Sequence, residues 1–390
     1  MLNILKMKNS WQRKKLGEVC NVIAGQSPEG EFYNEQGNGL PFYQGKKEFT
    51  EKFIGAPRVW TTKITKESEE GDILMSVRAP VGPTNFTAEK ICIGRGLAAI
   101  RAKKNIDKDF IFYFLRKFEA EIVGNTGAVF DSISKTQIEN ISIPTPPFSE
   151  QKRIVKILDE VFEEVGKAKE NAEKNLRNSR ELFESYLQSV FENKGEGWEE
   201  KRLGEIYDVR DGTHDSPKYH EKGFALITSK NLKRNGLNFD NIKYISEKDY
   251  QKINDRSKVD KGDILFAMIG TIGSPIVVEI DPDFAIKNVA LFKVPKNQSN
   301  YFLRYYLDSK IVFDKMAKES KGTTQKFVGL GYLRDFKISL PAFSEQKAIV
   351  KKLDALFEET KKLEEIYKKE IADLEELKKS VLQKAFRGEL

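Results

Sequence analysis

The sequence predicts an α+β protein in which two globular α/β domains are separated by two long α-helices that form an antiparallel coiled coil with pseudo-twofold symmetry. Three observations predict it: the chain repeats itself, each repeat changes once from strand-like to helix-like spacing, and both helical stretches carry an apolar stripe. A length of 390 residues suits two or three compact units at roughly 100–200 residues each. The predicted boundaries are 1–147 (globular), 148–193 (helix), 194–342 (globular) and 343–390 (helix).

An internal repeat organises the chain. Residues 146–164 match residues 341–359 at 14 of 19 positions, and shorter copies open each half and recur within it. Similarity is thin between residues 21–69 and 208–260, so the halves share a frame and differ inside it. We therefore expect one task performed twice on two different targets. The shorter copies are Trp11-Gln-Arg-Lys-Lys-Leu-Gly-Glu18 with Trp198-Glu-Glu-Lys-Arg-Leu-Gly-Glu205, and Gly71-Asp-Ile-Leu74 with Gly262-Asp-Ile-Leu265.

The first part of each half has the pattern of strands and loops. Turn-forming residues separate short apolar runs such as Asp72-Ile-Leu-Met-Ser-Val-Arg78. The stretches 109–116 and 300–307 predict short amphipathic helices buried against this sheet. Each half is thus expected to begin with a mixed α/β domain.

The second part of each half predicts one long helix. No proline follows Phe148 within the first helix or Phe343 within the second, and the apolar spacing becomes helical. About 45 residues at 1.5 Å per residue give a helix of roughly 65–70 Å. Such helices would act as spacers.

Apolar residues at alternating steps of three and four predict a coiled-coil seam on both helices. The second helix carries large residues along this stripe and the first carries small or polar ones in its middle, so an antiparallel pairing would place Ala168 and Ala172 near Ile371 and Tyr367. The predicted seam residues are Leu158, Val161, Val165, Ala168, Ala172, Leu182 and Tyr186 on the first helix, with Leu353, Leu356, Leu363, Tyr367, Leu374, Leu377 and Val381 on the second.

The positive charge is confined to the globular segments. The chain carries a net charge of +7, whereas residues 148–193 and 343–390 together hold slightly more acidic than basic side chains. A modest basic excess on both domains fits contact with phosphate backbones. A general lysine-rich composition would give the same excess, so charge alone does not separate the two interpretations.

Composition excludes several classes of protein. No stretch approaches the ~18 apolar residues of a membrane span. The opening segment has too short an apolar run for a signal peptide, so we expect a soluble cytoplasmic protein with no membrane partner. Two cysteines, Cys20 and Cys92, and two histidines, His214 and His220, provide no metal-binding cluster.

No complete catalytic constellation is present. A phosphate-binding GxxxxGK[ST] loop is absent, and Gly94-Arg-Gly96 lacks the rest of a dinucleotide fingerprint, which favours a turn in the sheet. His214 has acidic neighbours, but the equivalent region of the first half has no histidine, which argues against a duplicated catalytic base. We therefore expect no catalytic residue, no metal and no resident cofactor.

Loops of both domains are rich in side chains that read bases or hold phosphates. Arg and Lys pair with guanine edges, Asn and Gln with adenine, and Ser and Thr with phosphates. Taken singly, each such residue is more often an ordinary solvated loop residue. The predicted DNA-binding residues are Gln26, Ser27, Tyr43, Gln44, Lys46, Arg58, Thr61, Lys63 and Arg78 in the first domain, with Arg210, Thr213, His214, Ser229, Lys230, Asn231, Lys233, Thr271, Lys287 and Asn288 in the second.

These repeated motifs resemble the specificity subunits of type I restriction-modification enzymes. The resemblance covers essentially the whole chain and rests on the Trp-to-Glu openings, the two Gly-Asp-Ile-Leu segments and the junctions that enter the long helices. One departure is Ala342, which stands where the first junction has a second proline. The junctions are Ile143-Pro-Thr-Pro-Pro-Phe-Ser-Glu-Gln151 and Ile338-Ser-Leu-Pro-Ala-Phe-Ser-Glu-Gln346.

The resemblance implies a non-catalytic subunit with two target-recognition domains. Each domain would read one half of a bipartite site in double-stranded DNA, and the helices would set the spacer between the halves. Two modification subunits that use S-adenosylmethionine would dock on it, and restriction subunits that translocate and cleave would join them. S-adenosylmethionine, Mg and ATP are expected on those partner subunits only. Modules about 34 Å apart would face one side of the duplex.

Two rival interpretations remain open at this point. A coiled-coil adaptor could bind proteins through its domains, with the basic charge incidental. A self-contained methyltransferase or nuclease would need cofactor or metal motifs that the sequence lacks. DNA binding that weakens steeply with salt separates the first interpretation from the adaptor.

Overall fold

The computed structural model describes residues 11–125, 132–233, 236–269, 272–319 and 327–390, with only the backbone described for residues 120–125. The chain divides into two compact units, Met1–Glu173 with Lys369–Leu390, and Lys174–Lys368. Each unit therefore contains one globular domain and one end of each long helix.

The described part of the first unit contains the following elements. Its strands are β1 (Gln12–Lys15), β2 (Cys20–Ala24), β3 (Tyr33–Asn34), β4 (Leu40–Tyr43), β5 (Trp60–Thr61), β6 (Glu67–Ser68), β7 (Ile73–Ser76), β8 (Thr84–Phe86), β9 (Ile91–Ile93), β10 (Leu97–Ala102) and β11 (Ser142–Thr145). Its helices are α1 (Leu16–Val19), α2 (Lys108–Asn125), α3 (Lys135–Glu139), the first part of α4 (Phe148–Glu192) and the end of α10 (Phe343–Arg387).

Two sheets and a short ribbon build the first domain. One sheet has the order β2-β10-β7-β8, the other has the order β3-β5-β4-β9-β6, and β1 pairs with β11. Helix α2 packs Phe110 and Leu115, both fully buried, into the core that the first sheet shares with α4. The ring of Phe110 lies 5.0 Å from that of Phe386. Burying a side chain of this size stabilises the fold by about 1.5–3 kcal/mol.

The described part of the second unit contains the following elements. Its strands are β12 (Glu199–Arg202), β13 (Asp208–Asp211), β14 (Phe224–Ile227), β15 (Leu232–Lys233), β16 (Gly236–Leu237), β17 (Lys243–Ile245), β18 (Ile264–Ala267), β19 (Gly273–Val277), β20 (Phe284–Ile286), β21 (Val289–Lys293) and β22 (Lys337–Leu340). Its helices are the last part of α4, α5 (Leu203–Ile206), α6 (Glu247–Ser257), α7 (Asn300–Asp308), α8 (Lys310–Glu319), α9 (Leu330–Asp335) and most of α10 (Phe343–Arg387).

The second domain repeats the frame of the first and differs in what is inserted into it. The sheet β13-β21-β18-β19 has the order of β2-β10-β7-β8, and the ribbon β12-β22 corresponds to β1-β11. The inserted strands differ: β17-β14-β20 and β15-β16 stand where the first domain has a five-stranded sheet, and α6 is added. This confirms the predicted tandem duplication with divergent inserts.

The repeated Leu-Gly-Glu segment forms a one-turn helix in each unit. Leu16 and Leu203 are fully buried beneath it. Glu18 caps the turn by accepting a hydrogen bond from the Lys15 backbone N–H at 2.9 Å, and Glu205 does the same in the second copy. The glycine of the first copy, Gly17, lies close to α3. A Cβ at Gly17 would be 3.0 Å from a side chain of that helix.

The two long helices run antiparallel. In the first unit, Arg153 contacts Leu390 and Lys169 pairs with Glu375. In the second unit, Arg180 pairs with Glu364 and Phe183 packs on Phe357. The residue number rises along α4 as it falls along α10, which fits only opposite directions. The register predicted for Ala168 and Ala172 stays a prediction.

The predicted seam is wrong at four positions. Leu182 and Tyr186 are 51% and 37% exposed, and Leu363 and Leu377 are 36% and 44% exposed. The other predicted seam residues are buried or half-buried: Leu158, Val161, Val165, Ala168, Ala172, Leu353, Leu356, Tyr367, Leu374 and Val381.

The displaced positions follow from a second packing partner. On α4, Phe183 and Leu187 are buried in place of their exposed neighbours. The Phe183 ring lies 5.2 Å from Phe357 of α10 and 6.2 Å from Tyr305 of α7. Both α10 and the domain pack on α4. The buried stripe of α4 therefore turns toward the domain and no longer follows a simple two-helix seam.

Trp11 and the last residues of the chain lie together in the first unit. The Arg153 guanidinium donates to the Leu390 carbonyl oxygen at 2.9 Å, and a Cβ at Gly388 would lie 3.3 Å from the Trp11 ring. The end of the second long helix therefore returns to the start of the first domain.

Within the described residues, no helix is both long and apolar enough to cross a membrane.

Candidate nucleic-acid interface

Two loops meet tightly at one edge of the first domain. Gly25 follows β2 and donates its N–H to the Leu97 carbonyl at 2.9 Å, and Gln26 donates to the Ile93 carbonyl at 2.9 Å. A Cβ at Gly25 would lie 2.2 Å from the Gly94 carbonyl oxygen, so only glycine fits. We call this meeting of residues 25–27 with residues 93–97 the first loop crossing.

The second domain has the same arrangement. Gly212 follows β13 and donates to the Val289 carbonyl at 3.0 Å, and Thr213 donates to the Ile286 carbonyl at 3.0 Å. A Cβ at Gly212 would lie 2.2 Å from the Ile286 carbonyl oxygen. Residues 212–214 and 286–289 form the second loop crossing, on the same frame as the first.

Polar side chains cover the first loop crossing. The Ser27 hydroxyl oxygen accepts a hydrogen bond from the Arg95 backbone N–H at 3.2 Å, and the Gln44 amide lies 3.5 Å from the same oxygen. The side chains of Gln26, Gln44, Lys46 and Arg95 are exposed there. The structure thus gathers four predicted residues and adds Arg95.

Arg95 was absent from the predicted site because Gly94-Arg-Gly96 was interpreted only as a turn. The two glycines carry the missing signal. A Cβ at Gly96 would lie 2.2 Å from the Gln44 carbonyl oxygen, and one at Gly94 would lie 3.0 Å from the Ser27 hydroxyl. They let the chain approach both loops while presenting one arginine to solvent.

The second loop crossing carries different side chains in the same places. The His214 ring contacts the Asn288 side-chain oxygen through Nδ1 at 2.8 Å and Asp211 through Nε2 at 2.8 Å. Two polar side chains therefore hold the imidazole ring in place at the crossing. These contacts raise the pKa of His214 above its ordinary value, and the hydrogen bond with Asn288 has the largest effect. Partial burial and the Arg256 charge act in the opposite direction but are outweighed.

Lys287 completes the second loop crossing. Its ammonium group donates to the Ser216 hydroxyl at 2.6 Å, which orders the loop after His214. A mobile lysine is thereby held at the crossing. Of the residues predicted for this domain, Thr213, His214, Lys287 and Asn288 come together here.

Three predicted residues are buried and are corrected to structural roles. Tyr43 is 2% exposed and donates its hydroxyl to the Gly55 carbonyl at 2.9 Å. Thr61 is fully buried in β5. Asn231 is 7% exposed, and its amide holds the loop between Thr228 and β16. Their side chains look like base readers in the sequence, but their hydrogen-bonding groups are used inside the domain.

Two other predicted residues, the half-buried Arg210 and the exposed Lys63, are already paired. Arg210 makes an ion pair of 2.5 Å with Asp208. Lys63 lies 2.8 Å from Glu29 and stacks over the Phe32 ring at 4.8 Å. Ion pairs at the surface contribute little to stability, so a phosphate could displace either acidic partner.

The remaining predicted residues lie outside both loop crossings or outside the described chain. Arg58 is 78% exposed and only 3.8 Å from Glu48 at its closest. Thr271 lies outside the described residues. Arg78, Ser229, Lys230 and Lys233 lie in loops or at short strands, and Ser229 alone of these is half-buried while the others are exposed.

Fold and loops together define a duplicated frame that presents two different sets of polar side chains. In the described ranges, no group of three or more His, Cys, Asp and Glu side chains is placed to hold a metal ion. The class is a two-domain protein with a duplicated α/β frame and two long helices.

The chain belongs to the type I restriction-modification DNA specificity family. The model of the type I restriction modification DNA specificity domain matches it twice, over residues 8–174 and 195–373. The role that defines this family is DNA specificity and not catalysis.

Relatives support the assignment along the whole chain. A putative type I restriction enzyme MjaX specificity subunit from Methanocaldococcus jannaschii is 43% identical over 186 residues, which is 46% of this chain and 43% of that protein. The MjaVIII specificity subunit from the same organism is 25% identical over 99% of this chain and 94% of its own length. The EcoBI specificity subunit from Escherichia coli is 23% identical over 99% of this chain and 88% of its own length.

Two solved structures share the fold. One, described as the structural basis underlying complex assembly and conformational transition of the type I R-M system, superposes with a TM-score of 0.81 at 21% identity and covers 99% of this chain and 100% of that one. The HsdS subunit from Thermoanaerobacter tengcongensis superposes with a TM-score of 0.64 at 20% identity, over 100% and 99%.

Proposed function

We propose that this chain is the DNA-recognition subunit of a type I restriction-modification complex and that each domain reads one half of a bipartite site in double-stranded DNA. One observation carries the proposal: both domains build the same kind of loop crossing, and the two crossings present different polar side chains. A frame that is kept while its exposed loop residues change is what two different base sequences require.

The two crossings suit different chemistry at the DNA. Arg95, Gln26 and Gln44 in the first domain offer a guanidinium and two amides, the groups that recognise guanine and adenine edges. The second domain offers an imidazole ring at His214 and an ammonium at Lys287. Both sets combine positive charge with hydrogen-bond donors, which supports contact with bases and phosphates.

The long helices would set the spacer of the site. Helices α4 and α10 each run for 45 residues without a break. Because a helix is stiff, the distance between the half-sites would be a property of the protein and not of a flexible linker.

The helices also offer a repeated surface for two copies of one partner. Phe148 and Phe343 are 43% and 37% exposed at the start of α4 and α10, and Lys152 and Lys347 lie over their rings at 4.8 and 4.6 Å. Packing inside the chain does not require an exposed phenylalanine to be the same in both copies. Binding of the same partner to each helix does require the same exposed residue in both copies. We propose that these partners are two modification subunits.

The chemistry of methylation and cleavage would lie on the partners. S-adenosylmethionine would be held by the modification subunits, and Mg and ATP by the modification and restriction subunits. The restriction subunits would join the complex for translocation and cleavage.

Methylation-site mapping tests the proposal. The chain is produced in cells together with its modification subunit, and methylated bases are mapped across the genome. We expect one two-part motif with a fixed spacer, and exchanging residues 1–147 or 194–342 for those of a relative should change one half of the motif only. A folded complex that methylates nothing, or a motif that does not follow the exchanged domain, contradicts the proposal.

Salt dependence separates this function from a protein-binding adaptor. DNA affinity of the purified complex should fall by roughly 10³-fold or more between 50 and 200 mM salt if six or more phosphates are contacted. Salt-independent binding, or none, would favour the adaptor.

A further inference from the structure

Both domains are joined to their long helix by the same buried glutamine. In the first unit, Gln151 of α4 is 2% exposed, accepts a hydrogen bond from the Asp107 backbone N–H at 2.8 Å and donates to the Pro146 carbonyl at 2.8 Å. Its amide therefore ties the residue that precedes α2 to the start of the long helix.

The second unit repeats this contact. Gln346 of α10 is fully buried, accepts from the Ser299 backbone N–H at 3.0 Å and donates to the Pro341 carbonyl at 2.9 Å. Ser299 is the residue that precedes α7. The same amide thus joins the same two elements in both copies.

A tyrosine and an aspartate form a second contact, again in both copies. Tyr113 of α2 donates its hydroxyl to Asp159 of α4 at 2.6 Å. Tyr305 of α7 donates to Asp354 of α10 at 2.6 Å. In each unit, a domain helix and a long helix are therefore linked at two separate points.

The two points fix an angle as well as a position. On α4, Gln151 and Asp159 are eight residues apart in sequence, about two helical turns or roughly 12 Å. The apolar side chains between them, such as Ile154 and Leu158, hold the surfaces together without specifying a direction. Hydrogen bonds with defined geometry do specify one.

We propose that Gln151, Asp159 and Tyr113, with Gln346, Asp354 and Tyr305, are positioning residues that fix the orientation of each recognition domain on its helix and thereby the spacer length that the protein accepts. The inference rests on the proposed function, because spacer length has meaning only for a bipartite DNA site. The glutamine, the aspartate and the tyrosine recur at matching positions in both units, although the inserted parts of the two domains have diverged.

The test measures spacer selectivity. The complex with its modification subunit is given duplexes that contain the parent half-sites separated by the parent spacer or by one base pair more or less, and initial methylation rates are compared. Tyr305→Phe removes one hydroxyl and keeps the ring. We expect it to lower the preference for the parent spacer about tenfold, the value of one hydrogen bond to a charged group.

Tyr306→Phe is the matched control. The neighbouring tyrosine donates its hydroxyl to the Lys337 carbonyl at 2.6 Å, a bond of the same length that stays inside the domain. We expect this variant to keep the parent spacer preference even if it lowers the unfolding temperature equally. Equal spacer profiles for both variants, whether relaxed or unchanged, would overturn the inference.

Asp354→Asn keeps an acceptor oxygen for Tyr305 and should retain the spacer preference. If Tyr305→Phe assembles poorly, a second comparison replaces it. Asp354→Leu, which removes the acceptor of the Tyr305 hydroxyl, is compared with Asp354→Asn, which keeps it. If Asp354→Leu and Asp354→Asn accept the same spacers, the inference is wrong. A parent complex that methylates no bipartite site contradicts the proposed function instead, so the two failures are distinguishable.

Discussion

Arg101 on β10 forms a bidentate ion pair with Asp72: its Nε and Nη2 atoms each lie 2.8 Å from a carboxylate oxygen of Asp72. Asp72 is 2% exposed and also accepts from the Glu69 backbone N–H at 2.8 Å. In the second domain, Lys293 takes the place of Arg101 and lies 2.6 Å from Asp263. The repeated Gly-Asp-Ile-Leu segment therefore places one buried carboxylate under each central sheet, where it needs a cation.

Removing that cation should destabilise the first domain. Arg101→Ala leaves the buried Asp72 carboxylate without its charge partner, and we expect the free energy of unfolding to fall by about 3 kcal/mol. Chemical denaturation of the whole chain, followed by a probe in the first domain, measures it. Lys90→Ala breaks the exposed pair with Glu67 and should cost at most about 1 kcal/mol. Equal losses would contradict this role of Arg101.

The glycine of each loop crossing should tolerate no side chain. Gly25→Ala places a Cβ 2.2 Å from a backbone carbonyl, so the loop must move, and we expect a loss of about 1–3 kcal/mol in stability together with weaker DNA binding. Gly30→Ala is the matched control in the same loop, because a Cβ there meets nothing within 4 Å. Thermal unfolding and DNA titration of both variants measure the difference, and similar behaviour would mean that the crossing is not tight.

Arg95 should recognise the first half-site. We expect Arg95→Ala to weaken binding of the cognate duplex by about 1–3 kcal/mol and to relax selectivity in the first half only. Competition titrations with duplexes altered in one half or the other measure this. Arg177→Ala, an exposed arginine on α4, should leave both halves unaffected. Loss of selectivity in the second half would place Arg95 elsewhere on the DNA.

His214 should make recognition of the second half-site depend on pH. Its pKa is raised above the ordinary value of about 6.5 because the ring donates to Asn288 and Asp211. A raised pKa means that the charged form and the stability it brings are fully present below the unfolded pKa and are lost as pH rises through the folded one.

The measurement for His214 is DNA affinity across neutral pH. Binding should weaken as pH rises through the raised pKa, and His214→Asn should remove this dependence. Selectivity in the first half serves as the internal control because no histidine lies in the first domain. An unchanged pH profile in the variant would show that another group titrates.

The exposed phenylalanines should matter for assembly and not for stability. We expect Phe148→Ala with Phe343→Ala to lower affinity for the modification subunit at least tenfold, about 1.4 kcal/mol, with the unfolding temperature unchanged. Ile366→Ala is the matched control: Ile366 is 57% exposed on α10, but the equivalent residue of α4 is Asn171. Isothermal titration of both variants decides it, and equal losses would refute a repeated docking surface.

The duplicated frame is predictable from the sequence because the repeated motifs form their structure through local interactions. Leu-Gly-Glu builds a capped turn over a buried leucine, and proline followed by helical spacing starts each long helix at Phe148 and Phe343. Such signals lie within a few residues of one another and are read directly.

Tertiary structure alone decided which polar and apolar residues face the solvent. Gly25 packs against Gly94, which is about 70 residues away in the sequence. The Tyr43 hydroxyl donates a hydrogen bond to the Gly55 carbonyl inside the domain and is therefore not available at the surface. Leu182 is exposed because the domain pulls Phe183 inward. Burial depends on every element that packs on a residue, and one stretch of sequence specifies only its own spacing.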